Sequence, residues 1–165
     1  MTKARNAVPE GFHTVTPQLV VDDAARAIEW YKKALGAEEK TRAAGPDGKI
    51  MHAELQIGNS RIMLNDEMGG AKSAKSLGGS PISLWLYVPD CDALFHRAVA
   101  AGAQVPPGPM GQLTDQFWGD RTGMIVDPFG FKWTIATRKE DLSPEEMNRR
   151  AEEFFKQFAP QGAHA

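Results

Sequence analysis

Apolar and polar residues follow one another along this chain in short runs that switch period. Val15, Leu19 and Val21 mark a strand, and Asp22-Asp23 follows as a helix N-cap signal. Ala24, Ile28, Tyr31 and Leu35 then recur at helical spacing, giving one apolar face that must pack on a sheet, until Gly36 ends the helix as a left-handed cap. Gly45 to Gly48 reads as a turn, and a hairpin runs from Ile50 to Ile57 and from Ser60 to Asp66 around Gly58-Asn59. That two-residue turn sets the register: Ile57 faces Ser60, Glu54 faces Met63 and His52 faces Asn65. Because strand side chains alternate, Met51, Ala53, Leu55, Ile57, Ile62 and Leu64 are expected under the helix. The opposite face shows His52, Glu54, Gln56, Arg61, Met63 and Asn65, a set suited to a hydrated groove.

The pattern then begins again. Thr16-Pro17-Gln18-Leu19-Val20-Val21-Asp22-Asp23 is echoed by Ser83-Leu84-Trp85-Leu86-Tyr87-Val88-Pro89-Asp90, an offset of 67 residues from Thr16 to Ser83, and Gly36 is echoed by Gly102 at an offset of 66. Repetition at this scale dictates architecture. It predicts an α+β fold of two paired βαβββ modules forming a cupped, mostly antiparallel sheet with helices on the outer face. Residues 1–12 read as a flexible arm, 13–67 as the first module, 68–80 as a linker, 81–138 as the second module and 139–165 as a C-terminal helix and tail. The linker, with four glycines from Met68 to Gly79, is expected to be mobile.

In the second module the turn Asp127-Pro128-Phe129-Gly130 has four residues, so Val126 is set opposite Phe131 and Met124 opposite Trp133. Met124, Val126, Phe131, Trp133 and Ile135 then lie under the helix, while Arg121, Gly123, Ile125, Lys132 and Thr134 face the groove. On the opening strand Ile82, Leu84, Leu86 and Val88 point to the helices, leaving Ser83, Trp85 and Tyr87 in the groove. Ser143, Pro144 and Glu146 form a capping box for a last helix. Its Met147, Ala151, Phe154, Phe155 and Phe158 are available for burial, either on the same domain or on a partner subunit. The tail from Gln161 is expected to be disordered.

Composition narrows the function classes. A net charge of −2 over 165 residues gives no electrostatic footprint for nucleic acid or an anionic membrane. The one cysteine, Cys91, forms no internal disulfide and reads as a helix-start residue in a reducing compartment. No apolar run approaches the roughly 20 residues of a membrane span, and the N-terminus lacks a signal-peptide core, so a cytoplasmic protein is expected.

Three segments carry a family resemblance. They are Ala27-Ile28-Glu29-Trp30-Tyr31-Lys32-Lys33-Ala34-Leu35-Gly36-Ala37; His52-Ala53-Glu54-Leu55 before Ile62-Met63-Leu64-Asn65-Asp66; and Phe117-Trp118-Gly119-Asp120-Arg121 with Val126-Asp127-Pro128-Phe129-Gly130-Phe131-Lys132-Trp133. Together they resemble the vicinal oxygen chelate superfamily, which includes glyoxalase I, extradiol dioxygenases and bleomycin-resistance proteins, and within it the PhnB-like group. The resemblance spans residues 14 to 137 and implies a cupped fold, usually dimeric. Enzymes of that superfamily hold a divalent metal with His and Glu side chains, and the equivalent places fall here on Thr16, Met63, Ser83 and Thr134. Hydroxyls and a thioether leave a divalent charge uncompensated, so no glyoxalase-type metal and no other cofactor are expected.

The remaining candidates each have a functional and a structural reading. His52 and Glu54 share a face two residues apart, as a weak metal pair or an acid–base pair, or as partners of Asn65 and Arg61 across the hairpin. Trp85, Tyr87, Phe117 and Trp118 line an aromatic pocket for a flat or cationic ligand, or Phe117 and Trp118 cover a sheet edge or dimer seam. Arg121 binds a ligand anion or pairs with Asp120 or Asp115. Lys132 reads as a solvated strand residue, and His13, His96 and His164 have no partner at a telling spacing.

The expectation is a homodimeric, metal-free protein that binds a small molecule, antibiotic-like in the extreme case, through Gln18, Arg61, Met63, Asn65, Trp85, Tyr87, Phe117, Trp118 and Arg121. One alternative is a lyase or isomerase-type enzyme with a displaced or absent metal, with Glu54 as base, His52 as acid and Arg61 or Arg121 holding an anion. Another is an interaction module without activity.

Overall fold

The computed structural model describes residues 4–158, and the expected tail from Gln161, with His164, lies outside the described residues, as does the Phe158 side chain. The first module runs β1 (Gln18–Val21), α1 (Ala24–Leu35), β2 (Glu38–Ala44), β3 (Ile50–Ile57) and β4 (Ser60–Asp66). The second repeats it as β5 (Ser83–Tyr87), α2 (Cys91–Ala100), β6 (Thr114–Asp115), β7 (Asp120–Val126) and β8 (Lys132–Arg138), and α3 (Pro144–Phe158) follows. Strand order is β1-β4-β3-β2 in one sheet and β5-β8-β7-β6 in the other. In each, the module's first strand pairs parallel with its last and every other ladder is antiparallel. The chain is thus the α+β pair of βαβββ modules that the repeat predicts. No helix among the described residues is long and apolar enough to cross a membrane.

Both module helices start on the aspartates that the repeat aligns. Asp23 accepts from the Arg26 N–H at 3.0 Å and Asp90 from the Ala93 N–H at 3.0 Å, so each caps an otherwise unpaired donor. Gly36 closes α1 at φ 70, the left-handed geometry that glycine adopts without steric cost. The Ser143 hydroxyl accepts from the Glu146 N–H at 3.2 Å and starts α3 as the capping box requires.

Ala24, Ile28, Tyr31 and Leu35 of α1 are buried as the periodicity predicts, and so are Ala27, Trp30 and Ala34. The extra buried positions arise because α1 is covered twice, by its own sheet and by the second module. Across that junction Trp30 Nε1 donates to the Ala101 carbonyl at 2.8 Å, and Arg97 Nε donates to the Ala34 carbonyl at 2.9 Å. Tyr31 packs among Trp30, Phe129 and Trp133 and reaches Asp127 with its hydroxyl. The modules therefore meet through helices and the β7–β8 turn, and their sheets share no ladder.

Register and facing differ from expectation at three places. The β3–β4 ladder has Ile57 opposite Ser60 and Glu54 opposite Met63, but β2 pairs Ala44 with Ile50 and Ala43 with His52. Met51 is the extra residue of this bulge; Ile50 turns inward in its place and Met51 is exposed rather than under the helix. The β7–β8 loop spans five residues, so Val126 faces Lys132 and Ile125 faces Trp133. That shift by one sends Ile125, Gly123 and Arg121 to the helix side and Met124 and Val126 to the groove side. Ile82, expected toward the helices, precedes β5 and is exposed.

The stretch read as a mobile linker carries its own hydrogen-bond set. Glu67 accepts from the Ser73 N–H at 2.7 Å, the buried Ser73 hydroxyl accepts from the Ser76 N–H, and Gly79 N–H closes onto the Ala74 carbonyl at 2.7 Å. Hydrogen bonds from Ser76 and Ser73 hold the Glu67 carboxyl down at about 2. The segment is a capped turn, which glycine content alone does not reveal.

Candidate functional site

The groove face of the first sheet carries the polar set placed there by the hairpin register. Glu54 stands at its centre with both carboxylate oxygens engaged: Oε2 accepts from Arg61 Nη1 at 3.0 Å, and Oε1 lies 3.3 Å from His52 Nε2. His52 thus meets Glu54 along its own strand instead of Asn65 across the hairpin. Asn65 is buried, accepts from Gln18 Nε2 at 2.7 Å and donates to the Asp66 carbonyl at 2.8 Å. Parallel pairing of Gln18 with Met63 brings β1 beside this cluster. Gln18, His52, Glu54, Arg61, Met63 and Asn65 therefore form one hydrogen-bonding surface with a thioether in it.

The N-terminal segment read as a flexible arm packs on that surface. The Arg61 guanidinium lies 5.4 Å from the Phe12 ring centroid, and Gly11, at φ 81, comes so close that a Cβ there would sit 3.2 Å from Arg61 Nε. Arg61 Nε is buried with no hydrogen-bond partner. Beneath the arm is a cavity of about 420 Å³, bounded by Val8, Pro9, Phe12, Thr16, Glu54 and Met63. Phe12 was not among the expected site residues, because an irregular arm has no periodicity that ties it to a strand.

In the second module Trp85 and Tyr87 stand on the groove face, 48% and 58% exposed, with ring centroids 6.1 Å apart. Tyr87 Oη and Trp118 Nε1 both donate to Asp120 Oδ2, at 2.9 and 3.1 Å. The hydrogen bond to Asp120, followed by burial, raises the Tyr87 pKa. Asp120 is itself buried; its Oδ1 makes no hydrogen bond and lies 3.7 Å from Arg138 Nη1. Two of the four candidate aromatics thus converge on one carboxylate, and Trp85 lies beside one of them. Phe117 turns the other way and packs on Phe154 of α3 at 5.0 Å.

Arg121 does not join the groove. It makes a two-pronged pair with Asp92 of α2 at 2.7 and 2.8 Å and a further bond to Asp115 at 3.1 Å, which lowers the Asp92 carboxyl to about 2. The one-residue register shift is the physical reason. Lys132 is exposed at the start of β8, and Cys91 is buried at the start of α2 with its sulfur near the Arg121 carbonyl.

The resemblance puts metal ligands at Thr16, Met63, Ser83 and Thr134. Thr134 pairs with Trp85 and Met124 on the groove side, and the Thr16 hydroxyl donates to the His13 carbonyl. These side chains supply neutral oxygens and a thioether, a donor set that does not fit a divalent first-row ion. Among the described residues no three His, Cys, Asp or Glu side chains gather as a metal site.

A model of the Glyoxalase/Bleomycin resistance protein/Dioxygenase superfamily matches residues 11–135. An uncharacterized protein of Mycobacterium tuberculosis is 45% identical over 151 residues, covering 88% of this chain and 84% of its own. A solved gene product of Arabidopsis thaliana superposes with a TM-score of 0.61 at 28% identity, covering 76% of this chain and 98% of its own. A bleomycin-binding protein solved in complex with bleomycin shares the fold, with a TM-score of 0.55 at 21% identity over 77% of this chain and 99% of its own.

Proposed function

We propose, for a chain that belongs to the Glyoxalase/Bleomycin resistance protein/Dioxygenase superfamily, that it binds a small organic molecule on its groove faces without a divalent metal or other cofactor. The observation that carries this reading is the donor set itself. Thr16, Met63, Ser83 and Thr134 replace carboxylate and imidazole, while the surrounding surface keeps oriented polar groups. Gln18, Arg61, Met63 and Asn65 offer donors, acceptors and a soft contact to one side of a ligand; Trp85, Tyr87 and Trp118 offer stacking faces to the other. The bleomycin-bound fold neighbour is compatible with a ligand of that kind, although its likeness extends to the fold alone.

An acid–base role for Glu54 and His52 is the second reading. It requires Glu54 to part from Arg61, since both carboxylate oxygens are engaged. With Oε2 taken by Arg61 and Oε1 by His52, neither carboxylate oxygen is free to reach a substrate proton, which favours binding over proton transfer.

The groove faces sit on separate sheets, and the aromatic one is left half open to solvent. A second copy that laid its first-module face against Trp85 and Tyr87 would enclose a ligand, so the active unit is a homodimer in the cytoplasm. Thermal-shift screening with planar aromatic cations and bleomycin, paired with metal analysis of protein purified without chelators, tests the whole reading. Binding that quenches tryptophan fluorescence, is lost in Trp85→Ala and occurs at substoichiometric metal is expected. A full equivalent of nickel, zinc or iron would overturn it.

A further inference from the structure

We infer that the cleft between α3 and the β6–β7 loop is a second binding site, built for an organic cation with an apolar body. Its volume of about 360 Å³ falls at the small end of ligand pockets, about 300–1,000 Å³. Phe117, Phe154 and Phe155 line it together with Pro109 and Met110. The three rings lie within 5.0, 6.1 and 5.6 Å of one another by centroid, so they form one continuous aromatic surface, and Phe155 is 62% exposed. Glu140 holds the helix that carries two of these rings through Arg150, at 2.7 Å.

Charge at the mouth selects the sign of the guest. Asp115 lines the cleft with its side chain 77% exposed, and no Lys, Arg or His among the described residues lines it. Asp115 touches Arg121 at 3.1 Å, but Asp92 already holds that guanidinium with two shorter bonds. Two carboxylates thus share one guanidinium, and the group carries one uncompensated negative charge. That charge and the π faces of the rings both attract a cation, whereas an anionic head would meet Asp115 with no cationic side chain in the lining. The apolar walls take the hydrocarbon or aryl body by ordinary burial of apolar surface. Both α3 rings lie beyond residues 11–135, so this cleft owes its existence to a segment outside the family match.

The test compares 4-phenylbutylammonium with 4-phenylbutyrate, a pair that differs in the sign of the head group, by calorimetry on the intact chain. The cation is expected to bind about tenfold more tightly than the anion. Phe155→Ala and Met110→Ala are each expected to weaken it about fivefold, with helical circular dichroism unchanged, and Asp115→Asn to reduce the preference for the cation to about threefold, the share left to the rings. Trp85→Ala should leave this binding intact, which separates the cleft from the groove faces. Equal affinity for the two probes, indifference to Phe155→Ala, or loss in Trp85→Ala overturns the inference. So does a dimer that Phe155→Ala converts to monomer in sedimentation, because a second copy then fills the cleft.

Discussion

Tyr31 of α1 donates a 2.6 Å hydrogen bond to Asp127 at the head of the β7–β8 turn, so a side chain of one module satisfies a buried carboxylate of the other. The same oxygen, Oδ2, also accepts from Trp133 Nε1 at 2.9 Å, while Oδ1 accepts from the Phe129 and Phe131 N–H groups at 2.9 Å each. Four donors converge on one carboxylate. Burial nevertheless outweighs them and raises the Asp127 pKa above its ordinary value. One residue thus fixes the shape of a turn, holds a strand aromatic and ties two modules together.

Removing the tyrosine hydroxyl tests how far the modules depend on this contact. Tyr31→Phe keeps the ring packing and deletes one donor, which should cost about 1–3 kcal/mol, a fall of roughly 2–12 °C in Tm for a chain of 165 residues. Asp127→Asn should cost more, about 3 kcal/mol or above, because its amide turns an N–H2 toward groups that are themselves donors. Differential scanning calorimetry of the two variants checks the order; a Tm in Asp127→Asn equal to wild type would show the carboxylate to be dispensable.

The same pair governs alkaline stability. Burial first, then the charge of Asp127, then their hydrogen bond hold the Tyr31 pKa well above 10 in the folded chain. Above about pH 10 the unfolded chain gives up this proton while the folded chain keeps it. The unfolded state then binds fewer protons, so stability is full below that pH and falls as pH rises toward the folded value. Urea titrations at pH 9 and above should show a decline that is shallower in Tyr31→Phe.

Gly123 lies on the helix side of β7, where an added Cβ would come within 2.8 Å of the Phe95 ring and 3.1 Å of Leu113. Replacing a strand glycine by alanine ordinarily gains about 0.5–1 kcal/mol of backbone entropy. Overpacking a ring that has nowhere to move costs about 1–3 kcal/mol, so the clash decides the sign. Gly123→Ala should therefore unfold at a lower urea concentration than wild type. A higher midpoint would mean that α2 yields more easily than its buried face suggests.

Much of the fold was legible because local rules and the repeat agreed. The two-residue Gly58-Asn59 turn leaves one register open to β3 and β4, and Glu54 stands opposite Met63 as that turn requires. The β7–β8 turn was misjudged by one residue because Asp127 ties down the N–H of Phe131 and makes it a fifth loop residue, a side-chain effect that spacing does not show. That slip alone carried Arg121 to the wrong face. Met51 was misplaced because a bulge opposite β2 interrupts alternation, and the polar β2 sequence gives no hint of it. At the candidate site the polar surface from Gln18 to Asn65 could be read from parity. The packing of Phe12 on Arg61 could not, since no periodicity links an irregular arm to a strand.

That arm contact gives the last prediction. The Phe12 ring lies against Arg61, whose guanidinium is already held by Glu54 at 3.0 Å, so the arm is seated on a side chain that is itself fixed. Beyond this stacking and a turn from Phe12 N–H to the Pro9 carbonyl at 3.2 Å, the described residues of the arm contribute no strand to either sheet. Its opening should then be governed by a contact worth about 1 kcal/mol, and Arg61→Met should speed chymotryptic cleavage after Phe12 by roughly fivefold. Arg61→Met also leaves the mostly buried Glu54 without its guanidinium, so Tm should fall as well. Measured well below both Tm values, faster cleavage reports arm opening rather than global unfolding, and an unchanged cleavage rate would mean that something other than Arg61 seats the arm.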